Sequence, residues 1–176
     1  MKLNLACGKN ILEGWENHDK EVDLRERLPW ADCVANFILL EHGIEHLTSD
    51  RVVGMLREFR RVLKPGGVVR IAFPDSERLA AFTDEEFEQY AKAMRAAGVP
   101  PFDLNGYICL IFAAWGHRTA WTKNLLMTLL RACGFEARAS TYGESLAPEL
   151  CCVEGHHKLA GFAAVLETSV VEGVKT

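Results

Sequence analysis

Three short apolar runs dominate the first half of the chain, at residues 3–5, 34–40 and 67–73, each strand-length and nearly continuous rather than alternating. Such runs of Val, Ile, Leu and Phe suit strands buried on both faces, and hence a parallel sheet. Between the second and third runs, residues 48–63 place Val52, Met55, Leu56, Phe59, Val62 and Leu63 at helical spacing, while Arg51, Arg57, Glu58, Arg60 and Arg61 point elsewhere. Ser49 or Asp50 is positioned to cap this helix, and Pro65-Gly66-Gly67 to end it. Strand, helix and strand at that length make a βαβ unit.

The texture changes near Pro74-Asp75. Thr83 and Glu86 stand at capping-box spacing before a helix with Phe87, Tyr90, Ala91 and Met94 on one face, stopped by Gly98 and Pro100-Pro101. A further helix is predicted over 122–133, with Leu125, Leu126, Leu129 and Leu130 inward and Gly134 just beyond its end. Residues 135–141 and 166–174 read as strands, the second through the β-branched Thr168, Val170 and Val171. Neither an internal repeat nor a low-complexity tract is present.

Composition narrows the classes. A length of 176 residues fits one domain. Apolar residues at 49% and charged residues at 25% exclude disordered and fibrous chains. Twenty Lys plus Arg against 24 Asp plus Glu leave a net charge of -4, and only Arg57, Arg60, Arg61 and Lys64 form a basic group, so no nucleic-acid partner is expected. The six cysteines (Cys7, Cys33, Cys109, Cys133, Cys151 and Cys152) read as reduced thiols of a cytoplasmic protein, because a core of this size needs no disulfide staple. The opening Met1-Lys2-Leu3-Asn4-Leu5 is unlike an export leader, and no run approaches the roughly 18 apolar residues of a membrane span, so neither export nor a membrane partner is expected.

The first candidate site follows the first strand. Ala6-Cys7-Gly8-Lys9-Asn10 is a small-residue turn that lets the backbone approach a ligand, and Asp19, eleven residues after Gly8, closes the second strand, where an acidic side chain can accept ribose hydroxyls. A purely structural turn would also account for these residues. The pieces that follow come in a telling order: Asp23-Leu24, Leu28-Pro29-Trp30, Leu40-Glu41-His42-Gly43-Ile44-Glu45-His46-Leu47, Arg61-Val62-Leu63-Lys64-Pro65-Gly66-Gly67 and Pro74-Asp75.

This succession resembles the class I S-adenosylmethionine-dependent methyltransferases, in a subgroup reading roughly "LNLGCG, GW-N-D, DL, LP, H-LEHL, RVLKPGG, R-PD". The resemblance is dense over residues 2–75 and thins through Asn105-Gly106-Tyr107, Gly116-His117-Arg118 and Tyr142-Gly143-Glu144-Ser145. It implies S-adenosylmethionine as cofactor, with Ala6, Cys7 and Gly8 along its methionine part, Asp19 on the ribose hydroxyls and Asp23 with Leu24 beside the adenine. Glu41 and His42 would border the methionine end and the transferred methyl. Three positions depart from the pattern: Ala6 and Asn10 stand where glycines are usual, and Asn36 replaces an acidic residue at the start of its strand.

For catalysis, His42 is the first candidate base because it follows a strand at its C-terminal end, where open α/β sheets bind ligands. A histidine that merely orders the loop is the alternative. His46 reads as a packing or capping residue, while His117 and the group Glu154, His156 and His157 are placed to reach the cleft from the second half. His42-Gly43-Ile44-Glu45-His46 also matches the H-x-x-E-H pattern of inverted zinc peptidases, a short match with a glycine inside its supposed helix. Cys151-Cys152 with His156-His157 lacks chelating spacing, so no resident metal is expected. Trp115 and Trp121 flank His117 and Arg118 and are candidates to line an acceptor pocket.

The expectation is a single α/β domain of the Rossmann-like methyltransferase type, with a mostly parallel twisted sheet and a final antiparallel strand. Residues 1–75 form the cofactor-binding half, and residues 76–176 the acceptor-side helices and last two strands. The implied reaction is methyl transfer to a small-molecule acceptor, with the resemblance leaning toward a sugar or polysaccharide precursor. A non-catalytic cofactor-binding or assembly protein of the same fold is the alternative, and the zinc peptidase a remote one. Eleven residues between Leu5 and Asn17, and three between Asp19 and Asp23, predict a first crossover helix of a turn or two at most, no second crossover helix and a rudimentary third strand. One sheet face should then be bare, to be covered by the second-half helices or by a second chain in a homodimer, the latter slightly favoured.

Overall fold

Strand β1 (Lys2–Leu5) pairs in parallel with both β2 (Glu16–His18) and β3 (Ala35–Glu41), and β3 pairs in parallel with β4 (Leu63–Pro74). This is a computed structural model, describing the backbone of residues 1–176 and the side chains of all but residues 159–160. The last strand, β6 (Thr168–Lys175), runs antiparallel between β4 and β5 (Phe135–Ser140), for a sheet order of β2-β1-β3-β4-β6-β5. The predicted mostly parallel sheet and final antiparallel strand are both present. No helix of the described residues is long and apolar enough to cross a membrane.

Helix α1 (Ser49–Val62) buries Val52, Met55, Leu56, Phe59 and Val62, the stripe read from the sequence. Its N-cap residue is Thr48, without a side-chain cap bond, rather than Ser49 or Asp50. The Lys64-Pro65-Gly66-Gly67 turn bulges out of β4, shifting its register against β3. Gly66 has φ +76, and a Cβ at Gly67 would lie 2.9 Å from the Lys64 carbonyl, so glycine suits each position for a different reason.

In the second half, α2 (Ser76–Ala80) starts on the Asp75 side chain and α3 (Asp84–Ala96) on the Thr83–Glu86 capping box. Helix α4 (Leu104–Ala113) was not predicted: apolar nearly all round, it carries no stripe to read. Helix α5 (Lys123–Ala132) lies within the predicted 122–133, but Leu125 is exposed rather than inward. The short α6 (His157–Ala160) and α7 (Phe162–Glu167) precede β6, so the predicted strand at 166–174 begins two residues late. Helices α2, α3, α4 and α7 close a second core around Tyr90, Tyr107 and Ile111.

One face of the sheet packs Leu3, Leu5, Ile38, Leu40, Val69, Ile71 and Val171 into the main core with residues of α1 and α5. Residues 19–34, with no strand or helix of their own, lay Val22, Leu24, Leu28 and Trp30 against the same core, taking the place of the missing crossover. The opposite face is not the bare apolar surface expected. Residues 141–156 cross it, and buried Arg70 pairs there with Glu154 and Glu172 and donates to Ser140 Oγ (3.0 Å) and the Thr141 carbonyl (2.8 Å). Arg138 completes the network on Glu172 Oε2 (2.6 Å). The cover is therefore the β5–β6 connection, itself part of the second half of the chain, which removes the reason given for a second chain to supply it.

Candidate functional site

The C-terminal ends of β1, β2 and β3 open into a cleft of about 950 Å³. Ala6, Cys7, Gly8, Asp19, Asp23, Leu24, Glu41, His42 and His117, all singled out from the sequence, line it. Parallel strands β1 and β3 are neighbours, so the residues that follow them, Ala6 and His42, leave the sheet side by side, and both take left-handed backbone (φ 52 and 48). Non-glycine residues held in that region cluster at functional sites.

On the β1–β2 side the Gly8 N–H donates to Asp19 Oδ1 at 3.4 Å, so the turn and the acidic residue face each other across the cleft floor. A Cβ at Gly8 would meet nothing within 4 Å, leaving room for a ligand against the backbone. Burial pushes the Cys7 thiol up, and the carboxylates of Asp19 and Glu21 push it further, so it is a poor nucleophile. Asp23 is held at about 2 by a bidentate pair with Arg25, at 2.8 and 2.6 Å.

The departures from the family pattern have local explanations. Asn10 donates to Glu41 Oε2 (3.1 Å) and the Val153 carbonyl (2.9 Å) and packs so tightly over Gly155 that a Cβ there would lie 2.2 Å from its Oδ1. Its side chain thus ties the first turn to the β5–β6 connection. Asn36 is exposed near the opposite, N-terminal end of the strands, where its N–H donates to the Met1 carbonyl, away from the cleft. Glu41 borders the cleft, but its carboxylate is consumed by the Gly155 and His156 N–H groups at 2.8–3.0 Å.

His42 is nearly enclosed. Its Nε2 contacts Thr168 Oγ1 at 2.9 Å, its Nδ1 lies 3.3 Å from Glu45 Oε1, and its ring stacks on His156 at 3.8 Å between centroids. Burial works against its charge, yet the Glu45 carboxylate, helped by Glu167 and Glu41, raises its pKa overall. His156 is pushed down to about 4, by burial first and then by the charge of His42. With Nε2 on Thr168 and Nδ1 facing the Glu45 carboxylate as a charge contact, His42 backs Glu45 rather than standing free as a base.

The far wall comes from two segments. A 3₁₀ turn (Ile44–His46) presents Glu45 inward and His46 outward, and residues 116–121 dock on it through Arg118 N–H (2.8 Å) and Thr119 N–H (3.2 Å) to the Glu45 carbonyl. This brings His117 Nε2 to 3.9 Å from Glu45 Oε1, with its ring edge-on to His46 at 4.8 Å. Burial lowers the pKa of His117 and Glu45 opposes it, leaving the imidazole neutral. His46, expected to pack or cap, is instead exposed and lines the cleft.

Other sequence candidates separate here. Trp115 lines the cleft, 56% exposed, whereas Trp121 is core, its indole N–H donating to Thr119 Oγ1 at 2.8 Å. Of Glu154, His156 and His157 only His156 reaches the cleft; Glu154 pairs with Arg70, and His157 contacts Tyr142 at 3.0 Å. The H-x-x-E-H reading fails on geometry, because His42 is left-handed and only residues 44–46 are helical, so His42 and His46 share no helix face.

Residues 14–71 match a family described as a methyltransferase domain. None of the curated proteins matches the chain. Among solved structures, a SAM-dependent methyltransferase from Archaeoglobus fulgidus aligns with a TM-score of 0.56 at 13% identity, over 99% of this chain and 85% of that one. A SAM-dependent methyltransferase from Thermotoga maritima gives 0.51 at 20% identity, over 100% and 73%. A chain of the Haloferax volcanii complex containing the Trm112 methyltransferase activator gives 0.53 at 13%, over 98% and 80%. At these identities the likeness is one of fold. The chain therefore has the Rossmann-like fold of the class I methyltransferases, and residues 14–71 carry the sequence pattern of a methyltransferase domain.

Proposed function

We propose that the cleft binds S-adenosylmethionine and that the protein transfers its methyl group to a small-molecule acceptor. The observation that carries this reading is the pairing of the left-handed Ala6-Cys7-Gly8 turn with Asp19, Gly8 N–H to Oδ1 at 3.4 Å, at the C-terminal ends of parallel strands. Open space over Gly8 fits a cofactor lying against the backbone, with Asp19 on the ribose hydroxyls and Leu24 and Asp23 at the adenine end. When bound, that cofactor would supply an electrophilic methyl carbon to the acceptor's lone pair, the carbon–sulfur bonding electrons going to sulfur.

The chain's part is positioning. Glu41 anchors the 155–156 backbone, His42 holds Glu45, and His117 faces the acceptor beside Trp115, at 6.1 Å between ring centroids. The acceptor's proton leaves to solvent along this wall of the cleft, past exposed His46. An exposed indole next to polar donors suits a ring-bearing acceptor, which agrees with the sugar or polysaccharide precursor implied by the sequence resemblance.

Calorimetry with S-adenosylmethionine tests the binding half of the proposal, and product detection against a panel of small acceptors tests the transfer. Saturable binding, weakened at least tenfold by Asp19→Ala, is expected. No binding overturns the proposal, while binding without turnover on any acceptor favours the non-catalytic alternative.

A further inference from the structure

Among the described residues, three buried side-chain polar atoms have no hydrogen-bond partner: Glu45 Oε1, Glu45 Oε2 and His117 Nδ1. All belong to one wall of the cleft. A fully buried carboxylate with neither oxygen satisfied is costly, and folded chains rarely keep one without a ligand or a role. His42 offsets its charge from 3.3 Å but provides no aligned hydrogen bond. One ligand atom each from Glu45, His46 and His117 lies within 4.8 Å of the other two.

We propose that Glu45, His46 and His117 bind a divalent cation of the zinc class at the acceptor end of the cleft. Two imidazole nitrogens and one carboxylate oxygen are a borderline donor set that suits zinc and its transition-metal neighbours over magnesium or calcium. Three protein ligands leave a coordination position open, the arrangement of catalytic rather than structural zinc sites, and all three residues line the cleft. Ligand atoms around a tetrahedral zinc, with bonds of roughly 2.0–2.2 Å, stand closer together than 4.8 Å, so the set must contract on binding. Exposed His46 is free to swing, while the other two ligands are already held by the hydrogen bonds of Arg118 and Thr119 to the Glu45 carbonyl.

This set is different from the one the H-x-x-E-H pattern suggested. His42, the first histidine of that pattern, stands behind the carboxylate, and His117, from 72 residues beyond Glu45, supplies the second imidazole. Glu45 is a ligand and not a peptidase base. The role of the ion in catalysis rests on the methyl-transfer reading: its open position takes an acceptor hydroxyl and makes it more acidic. The hydroxyl proton then passes to solvent past exposed His46, and the oxygen lone pair that remains makes the new bond to the methyl carbon.

The test uses the full chain stripped with a chelator and titrated with Zn²⁺ alone, and with Co²⁺ for its visible spectrum. One equivalent per chain is expected, with a tetrahedral Co²⁺ spectrum, and with affinity reduced at least tenfold by His46→Ala and by Glu45→Gln while His157→Ala leaves it unchanged. Because Glu45 is buried, the exposed His46 variant keeps the test valid if Glu45→Gln fails to fold. Absence of saturable binding, or binding that survives His46→Ala combined with His117→Ala, overturns the site. S-adenosylmethionine affinity measured on the same stripped protein separates the two readings: intact cofactor binding without zinc binding sinks only the metal site, and the reverse result sinks only the functional reading.

Discussion

Both carboxylate oxygens of Glu41 accept the backbone N–H of Gly155, at 3.0 and 2.8 Å, joining positions 114 residues apart. Oε1 also takes the His156 N–H at 2.9 Å. This one side chain fastens the β5–β6 connection to the end of β3 and so sets where His156 meets the cleft.

Glu41→Ala is expected to lower stability by about 2–3 kcal/mol, because buried donors on Gly155 and Asn10 lose a charged acceptor. Glu41→Gln, which keeps one acceptor oxygen, should lose less. Chemical denaturation measures both, and an alanine variant within about 0.5 kcal/mol of the natural protein would show that the anchor contributes little.

Ala6 adopts φ 52, a region glycine enters without a Cβ penalty, so Ala6→Gly is expected to gain about 0.5–1 kcal/mol. Gly43 carries the opposite expectation: an added Cβ would lie 2.6 Å from Leu40 Cδ1 and 3.1 Å from Ala6 Cβ, and Gly43→Ala should cost about 1–3 kcal/mol. The two changes touch the same space, so the double variant should be more stable than their sum predicts. Strict additivity in thermal melts counts against that packing.

His156 stays neutral in the folded chain down to about 4, whereas the unfolded chain takes up the same proton near 6.5. Unfolding is therefore favoured as the pH falls through this window, by about 3 kcal/mol at most. His42 has the opposite sign: its raised folded pKa stabilises the chain fully below about 6.5, and that contribution is lost as the pH rises through the folded value. His156→Phe keeps a ring against His42 without the titration and should remove the acid-side loss. Denaturation at pH 7 and pH 5 that shows the same loss of unfolding free energy for both proteins would refute this assignment.

Trp115 is exposed on the cleft wall and is absent from the main core. Under the proposed reaction, Trp115→Ala should raise the acceptor KM about tenfold by removing a stacking surface, with S-adenosylmethionine affinity and melting temperature nearly unchanged. A matching loss of cofactor affinity would move Trp115 to the other end of the cleft.

That Gly8, Asp19 and His42 line one cleft was legible in the sequence. Alternation between short apolar runs and the α1 stripe leads to parallel strands, and parallel strands deliver their C-terminal ends to one edge, so Gly8, Asp19 and His42 had to be neighbours. Helix α4 was invisible because Leu104–Ala113 is apolar on every side, and periodicity carries no signal where all positions are alike. Leu125 fell inside a helix with a readable stripe but at its exposed margin.

Local spacing, then, determined the strands, the main helices, the Gly66-Gly67 turn and the shortened first crossovers, because each depends on contacts within a few residues or on chain length alone. Tertiary structure decided the rest. The sheet face expected to stand bare is closed by Arg70, Glu154 and Glu172 under a loop, and Glu45 meets His117 because the Arg118 and Thr119 N–H groups donate to the Glu45 carbonyl from a distant segment. Such pairings leave no periodic trace, since what brings them together is ion pairing and hydrogen bonding between distant segments rather than the order of residues within either one.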